Sequence, residues 1–221
     1  MAKTVLVALI ALFLWPSSGL AQTSATRQWD TAFTLGLFNA RPSEAQPLDY
    51  GDDWFHTADY RASVGRLWNE HLKTELEFGT TGQGSRYVTR FEAGTISSGA
   101  REFYHMHQGT AKLTWQFLDN SWVQPYLSAG VMVEGEEKHT HVFERYVQPD
   151  PRTGTPRIIA PAYDEPSHTT YRPGVSLSAG AKFYVSPQAF FKAGAQSTWT
   201  YHQDARSSSS VSFLAGFGFD F

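Results

Sequence analysis

No cysteine occurs among the 221 residues, so neither a disulfide framework nor a thiolate metal site can hold this chain together. Charge is scarce as well. Charged residues make up 18% of the sequence, against a usual quarter. The net charge of −3 leaves no basic surplus of the kind that binds nucleic acid. Long apolar runs are missing beyond the first twenty residues, which excludes a bundle of membrane helices. The mean hydropathy of −0.36 does not exclude a membrane protein built from strands. A spanning strand is apolar on one face only, and its average stays near neutral. What the chain has in abundance is aromatic residues, 15% of the total.

The N-terminus has the layout of an export signal: Lys3 as a positive n-region, an apolar run from Val5 to Trp15, and small residues at Gly19 and Ala21. Cleavage is expected after Ala21, giving a signal peptide over 1–21 and a mature domain over 22–221. A helical anchor is disfavoured because the apolar run stops at Pro16.

The remainder is organised by alternation with a period of two, the mark of strands with unlike faces. Eight segments carry it: 28–39, 57–68, 71–82, 102–117, 122–135, 171–185, 188–202 and 209–221. Most reach the ~9–11 residues that a tilted strand needs to cross a bilayer. In 171–185, for instance, Val175, Leu177, Ala179, Ala181, Phe183 and Val185 alternate with a polar set of Arg172, Gly174, Ser176, Ser178, Gly180 and Lys182. The connections alternate too. Tiny turns fall at Asn69-Glu70, between Leu118 and Ser121, and at Ser186-Pro187, whereas 40–56, 83–101 and 136–170 are long. Turns at one end and loops at the other describe an all-β, eight-stranded antiparallel up-and-down transmembrane β-barrel.

Lipid outside and water outside predict different polar faces. A face in bulk water would be dense in Lys and Glu. Here it is Gly, Ser, Thr and Gln, with charges of both signs at Arg61, Lys73, Glu75, Glu77, Lys112, Glu134, Lys182, Lys192 and Asp220. Small residues and paired charges suit the cramped interior of an eight-stranded barrel, which side chains just fill. These nine are the candidate lumen charges. Trp29, Trp68, Trp115, Phe117, Trp199 and Tyr201 near strand ends suit two interfacial girdles. Arg66 shares parity with the apolar Tyr60, Ala62 and Val64, so either it snorkels at the rim or the register of 57–68 slips.

The closing stretch SVSFLAGFGFDF places Phe213, Phe217, Phe219 and Phe221 on one parity, with Gly216, Gly218 and Asp220 on the other. On these features the chain resembles the small eight-stranded outer-membrane barrels of Gram-negative bacteria, the class of outer membrane proteins A, X and W. The resemblance implies that Phe213, Phe217, Phe219 and Phe221 form the signal recognised by the barrel-assembly machinery. It further implies an outer-membrane location, outer-membrane lipid as surroundings, and a monomer.

Function is carried by loops in this class, and the loops here hold no catalytic motif. His139 and His141, with His105, His107 and His168, are better read as solvated loop histidines than as a metal site. Asp49 to Asp59 lacks the glycine and closing glutamate of an EF-hand. Ser197, His202, Asp204 and the run Ser207 to Ser210 lie where barrels that act on lipid A keep their catalytic groups. The order His202-Gln203-Asp204 departs from the deacylase spacing. The expectation is therefore a non-catalytic envelope barrel without metal or cofactor. A narrow pore like that of outer membrane protein W is the first alternative and a lipid A-modifying enzyme the second.

Overall fold

The computed structural model describes residues 28–41, 55–90, 98–118, 122–143, 145–147, 157–201 and 207–221. The proposed signal peptide, His202, Asp204 and most of loop 40–56 lie outside these residues. Eleven strands run in chain order: β1 Trp29–Arg41, β2 Phe55–Leu67, β3 Leu72–Thr81, β4 Gly84–Arg90, β5 Ser98–Gln116, β6 Val123–Val142, β7 Arg145–Val147, β8 Arg157–Ala160, β9 Tyr163–Tyr184, β10 Ala189–Tyr201 and β11 Ser207–Asp220. No described helix is long and apolar enough to cross a membrane, which says nothing against crossing by strands.

All barrel pairings are antiparallel and join neighbours, β1 with β2, β2 with β3, β3 with β5, β5 with β6, β6 with β9, β9 with β10 and β10 with β11. β1 then closes the circuit on β11 from Asp30↔Asp220 to Arg41↔Ser209. Eight walls result, with β4 continuing β3 along the upper part of β5. Closure leaves no edge through the barrel body, as a sheet surrounded by hydrocarbon requires. The last residue takes part: the Phe221 N–H donates to the Trp29 carbonyl at 2.8 Å, and the Trp29 N–H returns a bond of 3.0 Å.

Parity decides what each side of the wall holds. Outward stand the large apolar side chains, among them Leu37, Phe78 and Val131, each about two-thirds exposed to the surroundings of the protein. Inward stand Arg61, Lys73, Glu75, Gln196, Thr198 and Lys182, all buried. A water-soluble fold has the opposite arrangement, and an apolar surface of this extent is not carried into water. The arrangement is that of a transmembrane barrel. Trp29, Trp68, Trp115 and Phe117 stand exposed at the turn end, and Trp199 and Tyr201 at the other end. Arg66 keeps the register, paired with Trp29 in the ladder. Its guanidinium lies 4.5 Å from the Trp68 ring centre and 5.7 Å from that of Trp29, so the charge is held by two rim aromatics rather than by lipid.

Three strands are longer than the membrane requires. β5, β6 and β9 have 19, 20 and 22 residues, against 13 for β1, β2 and β10. The expected loops 83–101 and 136–170 are therefore largely strand. With β4 they raise a four-stranded sheet above the rim, since β9 pairs with β10 only as far as Gly174↔Thr200 while its ladder with β6 continues to Tyr163↔Val142. In this upper zone the polarity of the faces changes. His105, His107, His139 and His141 now point outward, and Phe38, Ala40, Phe55, Tyr104 and Met106 form an apolar cluster inside. Beside that cluster the interior stays charged, at Arg86, Glu102, Glu136 and Lys138, so the clearer change above the rim is on the outer face, where polar side chains join the apolar ones.

One ladder irregularity decides which β9 side chains share the outer face. Lys138 pairs with His168 but Thr140 with Glu165, so β9 spends an extra residue there. Pro166, which has no N–H to give, sits in that step. Below it Thr169 faces outward opposite Glu137; above it Asp164 faces outward opposite His141.

Candidate functional site

The lumen is built by inward parity on every wall. Near the turn end, Lys182 Nζ on β9 donates to Asp30 Oδ2 on β1 at 2.7 Å and to Asp220 Oδ1 on β11 at 3.3 Å. Lys73 Nζ on β3 reaches the same Asp30 oxygen at 2.8 Å and also pairs with Glu75. Lys192 Nζ on β10 donates to Glu75 across the lumen at 3.0 Å. Tyr184 Oη donates to Asp220 at 2.5 Å. The lower network thus ties β1, β3, β9, β10 and β11 together through side chains as well as through the ladder.

At mid-height Arg61 is the hub. Its Nη2 donates to Asp59 Oδ2 at 2.7 Å and to Ser212 Oγ at 2.9 Å, and its Nη1 to Glu77 Oε1 at 2.9 Å. Ser212 Oγ in turn donates to Asp59 at 2.7 Å. Lys112 Nζ pairs with Glu77 at 2.6 Å and donates to Gln196 Oε1 at 2.6 Å. Tyr126 fills the space beside this hub because it faces two glycines. A Cβ on either Gly180 or Gly194 would come within 2.7 Å of the Tyr126 hydroxyl and closer still to a neighbouring backbone oxygen. Lys192 then lies over the Tyr126 ring at 5.3 Å.

In these two layers five acids (Asp30, Asp59, Glu75, Glu77, Asp220) face five bases (Arg61, Lys73, Lys112, Lys182, Lys192), and the plug is neutral. Higher up, Arg172 Nη1 donates to Glu136 at 2.7 Å. Arg86 and Lys138 share Glu102, at 2.8 and 2.9 Å, with Tyr104 Oη donating to the same carboxylate at 2.5 Å.

All nine charges expected in the lumen stand inward. Eight are joined to partners, and Glu134 has no hydrogen bond or ion pair among the described residues. Not foreseen from the sequence are Asp30, Asp59, Arg86, Glu102, Glu136 and Lys138; Arg172 was placed on the polar face of 171–185 but not among the lumen charges. Asp30 and Asp59 follow from parity alone, since they alternate with Thr31 and Tyr60 on walls already recognised. Glu136 and Lys138 were assigned to a solvated loop and are instead buried inside, because β6 runs seven residues past Gly135.

The outer face of the raised sheet forms the second site. His105 and His107 rings meet edge-on at 4.4 Å, and both approach the Thr80 hydroxyl, at 3.2 and 3.1 Å. His105 Nδ1 lies 3.9 Å from Glu137 Oε2. Asp164 accepts from His141 Nδ1 at 2.7 Å and lies 3.5 Å from His139 Nε2. The bond from His141 holds the Asp164 carboxyl below the usual carboxylate range. Thr81, Gly82, Gln83, Phe103, His105, Glu137 and His139 border a recess of about 210 Å³ on this face. These histidines are strand-borne and ordered against partners, not loose loop residues. Among the described residues no three His, Asp or Glu side chains are arranged to hold a metal ion. Of the acidic stretch 49–59, Asp59 points into the lumen onto Arg61, and 49–54 lie outside the described residues. Ser197 Oγ donates to the Ser210 carbonyl at 3.3 Å.

No family model and no curated protein matches the chain. Among solved structures it is similar to Neisserial surface protein A, at a TM-score of 0.52 and 14% identity, over 89% of this chain and 98% of that one. It is also similar to the outer membrane protease OmpT of Escherichia coli (0.49, 10%, 92% and 99%) and to the N-terminal β-barrel domain of OprF from Pseudomonas aeruginosa (0.47, 13%, 88% and 98%). At these identities the likeness is one of fold: a small outer-membrane β-barrel.

Proposed function

We propose that this chain is an exported, monomeric, integral outer-membrane barrel that neither conducts nor catalyses. Its work is an interaction made by the outer face of the sheet it raises above the membrane. The observation that carries the reading is the neutral plug of five acids and five bases across the lower and middle lumen. Beside Lys112 and Tyr126 the remaining space is about 10 Å³ for the centre of a water-sized sphere, room for about one water. A solute crossing here would have to separate buried ion pairs, each costing about 3–5 kcal/mol to break. The recess bordered by Phe103, His105, Glu137 and His139 offers a concave surface, part aromatic and part polar, that the lumen does not.

Outer-membrane lipid surrounds the apolar band, and the barrel-assembly machinery inserts the chain using Phe213, Phe217, Phe219 and Phe221. Reconstitution in planar bilayers tests the reading. Silence, with insertion verified by a heat-shifted gel band, is expected; discrete conductance steps would make the chain a narrow pore. Lipid A from cells expressing the protein is expected to keep its mass, and a change of one acyl chain would make it an enzyme.

A further inference from the structure

The apolar outer band ends on three neighbouring walls at a cluster of polar side chains. Along the outward positions Phe78 gives way to Thr80 on β3, Ala111 and Gly109 to His107 and His105 on β5, and Val133 and Gly135 to Glu137 on β6. The layer between hydrocarbon and water is about 5–8 Å thick on each side of a bilayer. Two residues of a tilted strand climb ~5 Å. His107 and His105 therefore stand in the headgroup layer at the loop end. Tyr171 marks the same layer as an interfacial aromatic, lying over Gly135, where a Cβ would come within 3.0 Å of its ring.

The His105 and His107 rings lie 4.4 Å apart, and His105 Nε2 and His107 Nδ1 both point at Thr80 Oγ1, at 3.2 and 3.1 Å. One hydroxyl has one hydrogen, so at least one of the two imidazoles gives its N–H to Thr80. His105 Nδ1 is turned to Glu137 Oε2, 3.9 Å away, and Ser167 Oγ donates to the other oxygen of that carboxylate at 2.9 Å. His107 Nε2 remains over: its ring is exposed, and it has no hydrogen bond among the described residues. The other titratable groups around the pair are Tyr60 on β2, His139 on β6 and Tyr171 on β9, and β3 adds none. Arg101, further up β5, is turned to Ser85 between the rings of Phe103 and Tyr87, the latter on β4, and Asp164 on β9 is engaged by His139 and His141. With one proton between them His105 and His107 balance Glu137. With one each they leave a net positive charge, and imidazole is the side chain that makes this change between pH 8 and 5.

We propose that His105 and His107 form a proton-linked grip on a phosphorylated sugar headgroup of the glycolipid in the barrel's own outer leaflet. The proposal rests on the reading that the raised outer face carries the interaction. The phosphate accepts from His107 Nε2, and the recess of about 210 Å³ beside Phe103, His105 and Glu137 takes the sugar. At ~30 Å³ per water the recess has room for about seven waters, the space of one sugar ring. Phe103 offers that ring an apolar face, while Glu137 and His139 exchange hydrogen bonds with its hydroxyls. A phosphate monoester carries a charge between about −1.5 and −2 at neutral pH and so favours the doubly protonated pair. Binding therefore takes up a proton, and the grip tightens as the pH falls from 8 towards 6.

The test places the refolded barrel in nanodiscs of phosphatidylcholine, alone or with bisphosphorylated lipid A, dephosphorylated lipid A, or phosphatidylglycerol at matched charge. The pH midpoints of the histidine rings are read by NMR. Bisphosphorylated lipid A is expected to raise the midpoints of His105 and His107 by about one unit, equivalent to about tenfold tighter binding by the protonated pair. His141, higher on the sheet beside Asp164, is expected to keep its midpoint. Dephosphorylated lipid A is expected to move none of them, and His107→Asn to lose most of the shift at His105. No shift with bisphosphorylated lipid A would overturn the inference. So would an equal shift with phosphatidylglycerol, or one that includes His141, because either reports surface charge alone. An equal shift from dissolved glucosamine 1-phosphate in plain discs would make the ligand a free phosphosugar and overturn the leaflet source. Each of these failures moves the partner and leaves the closed, non-catalytic barrel standing, whereas conductance steps would end that reading without moving the midpoints. If His107→Asn does not fold, the lipid series on the wild-type barrel decides alone.

Discussion

Replacing Arg61 by Met removes the hub of the mid-lumen network while nearly preserving volume. Arg61 is 2% exposed and joins Asp59, Glu77 and Ser212 from three walls. Its loss does not fall equally on them. Glu77 keeps Lys112 at 2.6 Å, whereas Asp59 keeps, among the described residues, only the Ser212 hydroxyl. Truncating one partner of a buried pair costs about 3–5 kcal/mol, chiefly for the charge left behind. Because only one of two acids is stranded, about 3 kcal/mol is expected. Adding Asp59→Asn removes the stranded charge, so the double variant should recover about 2 kcal/mol of that loss. Arg61→Lys should not rescue, since an ammonium cannot reproduce the forked contact to two carboxylates. Urea unfolding in detergent micelles, followed by the fluorescence of the six tryptophans of the mature domain 22–221, measures all four proteins. A midpoint for Arg61→Met equal to wild type, or a double variant as unstable as the single one, would refute the claim that this network is dry and coupled.

Lys182→Glu sets a third acid between Asp30 and Asp220, and should abolish the heat-shifted folded band on gels. Glu137→Lys, about half exposed on the outer face, should cost no more than about 0.5 kcal/mol. Gly216→Ala should hinder closure of β1 on β11, because its Cβ would fall 1.9 Å from the Phe33 carbonyl oxygen. A folded yield like that of Ala215→Gly would contradict this. Phe221→Asp should refold normally in detergent yet fail to assemble in cells, while Asp220→Asn assembles. Normal assembly of Phe221→Asp would mean that the residue is only a lipid-facing side chain, as a charge near the interface costs up to about 1 kcal/mol.

The barrel itself was legible because one physical rule, apolar outward and polar inward, holds along every wall inside the membrane. It placed the nine lumen charges inward and located the three short turns. The rule fails where lipid ends. Above the rim the outward positions come to include His105, His107, Glu137, His139 and His141, while the inward ones mix Tyr104, Met106 and Val142 with Glu102, Glu136 and Lys138. A pattern sought with fixed polarity stops there, which is why 136–142 and 163–170 were taken for loop and Glu136 and Lys138 for solvated charges. The placement of Asp164 beside His139 and His141 had no local signal, since it depends on the extra β9 residue near Pro166. Pairing partners in the lumen were equally out of reach. Lys112 and Gln196 are 84 positions apart and meet only because the barrel closes.

The central claim is lipid outside the wall and a sealed plug inside it. With no native cysteine, single substitutions give a clean labelling background. Ser176 and Ser178 point inward at mid-height on β9, and Leu177 between them points outward. Each is replaced by Cys, with Thr169 on the raised sheet as the exposed reference, and the barrel is reconstituted in lipid vesicles. Labelling by a water-soluble maleimide is then measured before and after denaturation. The account predicts that Cys at 169 reacts at once, while 176, 177 and 178 all stay unlabelled until the barrel is unfolded. Rapid labelling at 176 and 178 would mean a water-filled channel, and rapid labelling at 177 would mean water where the account places lipid.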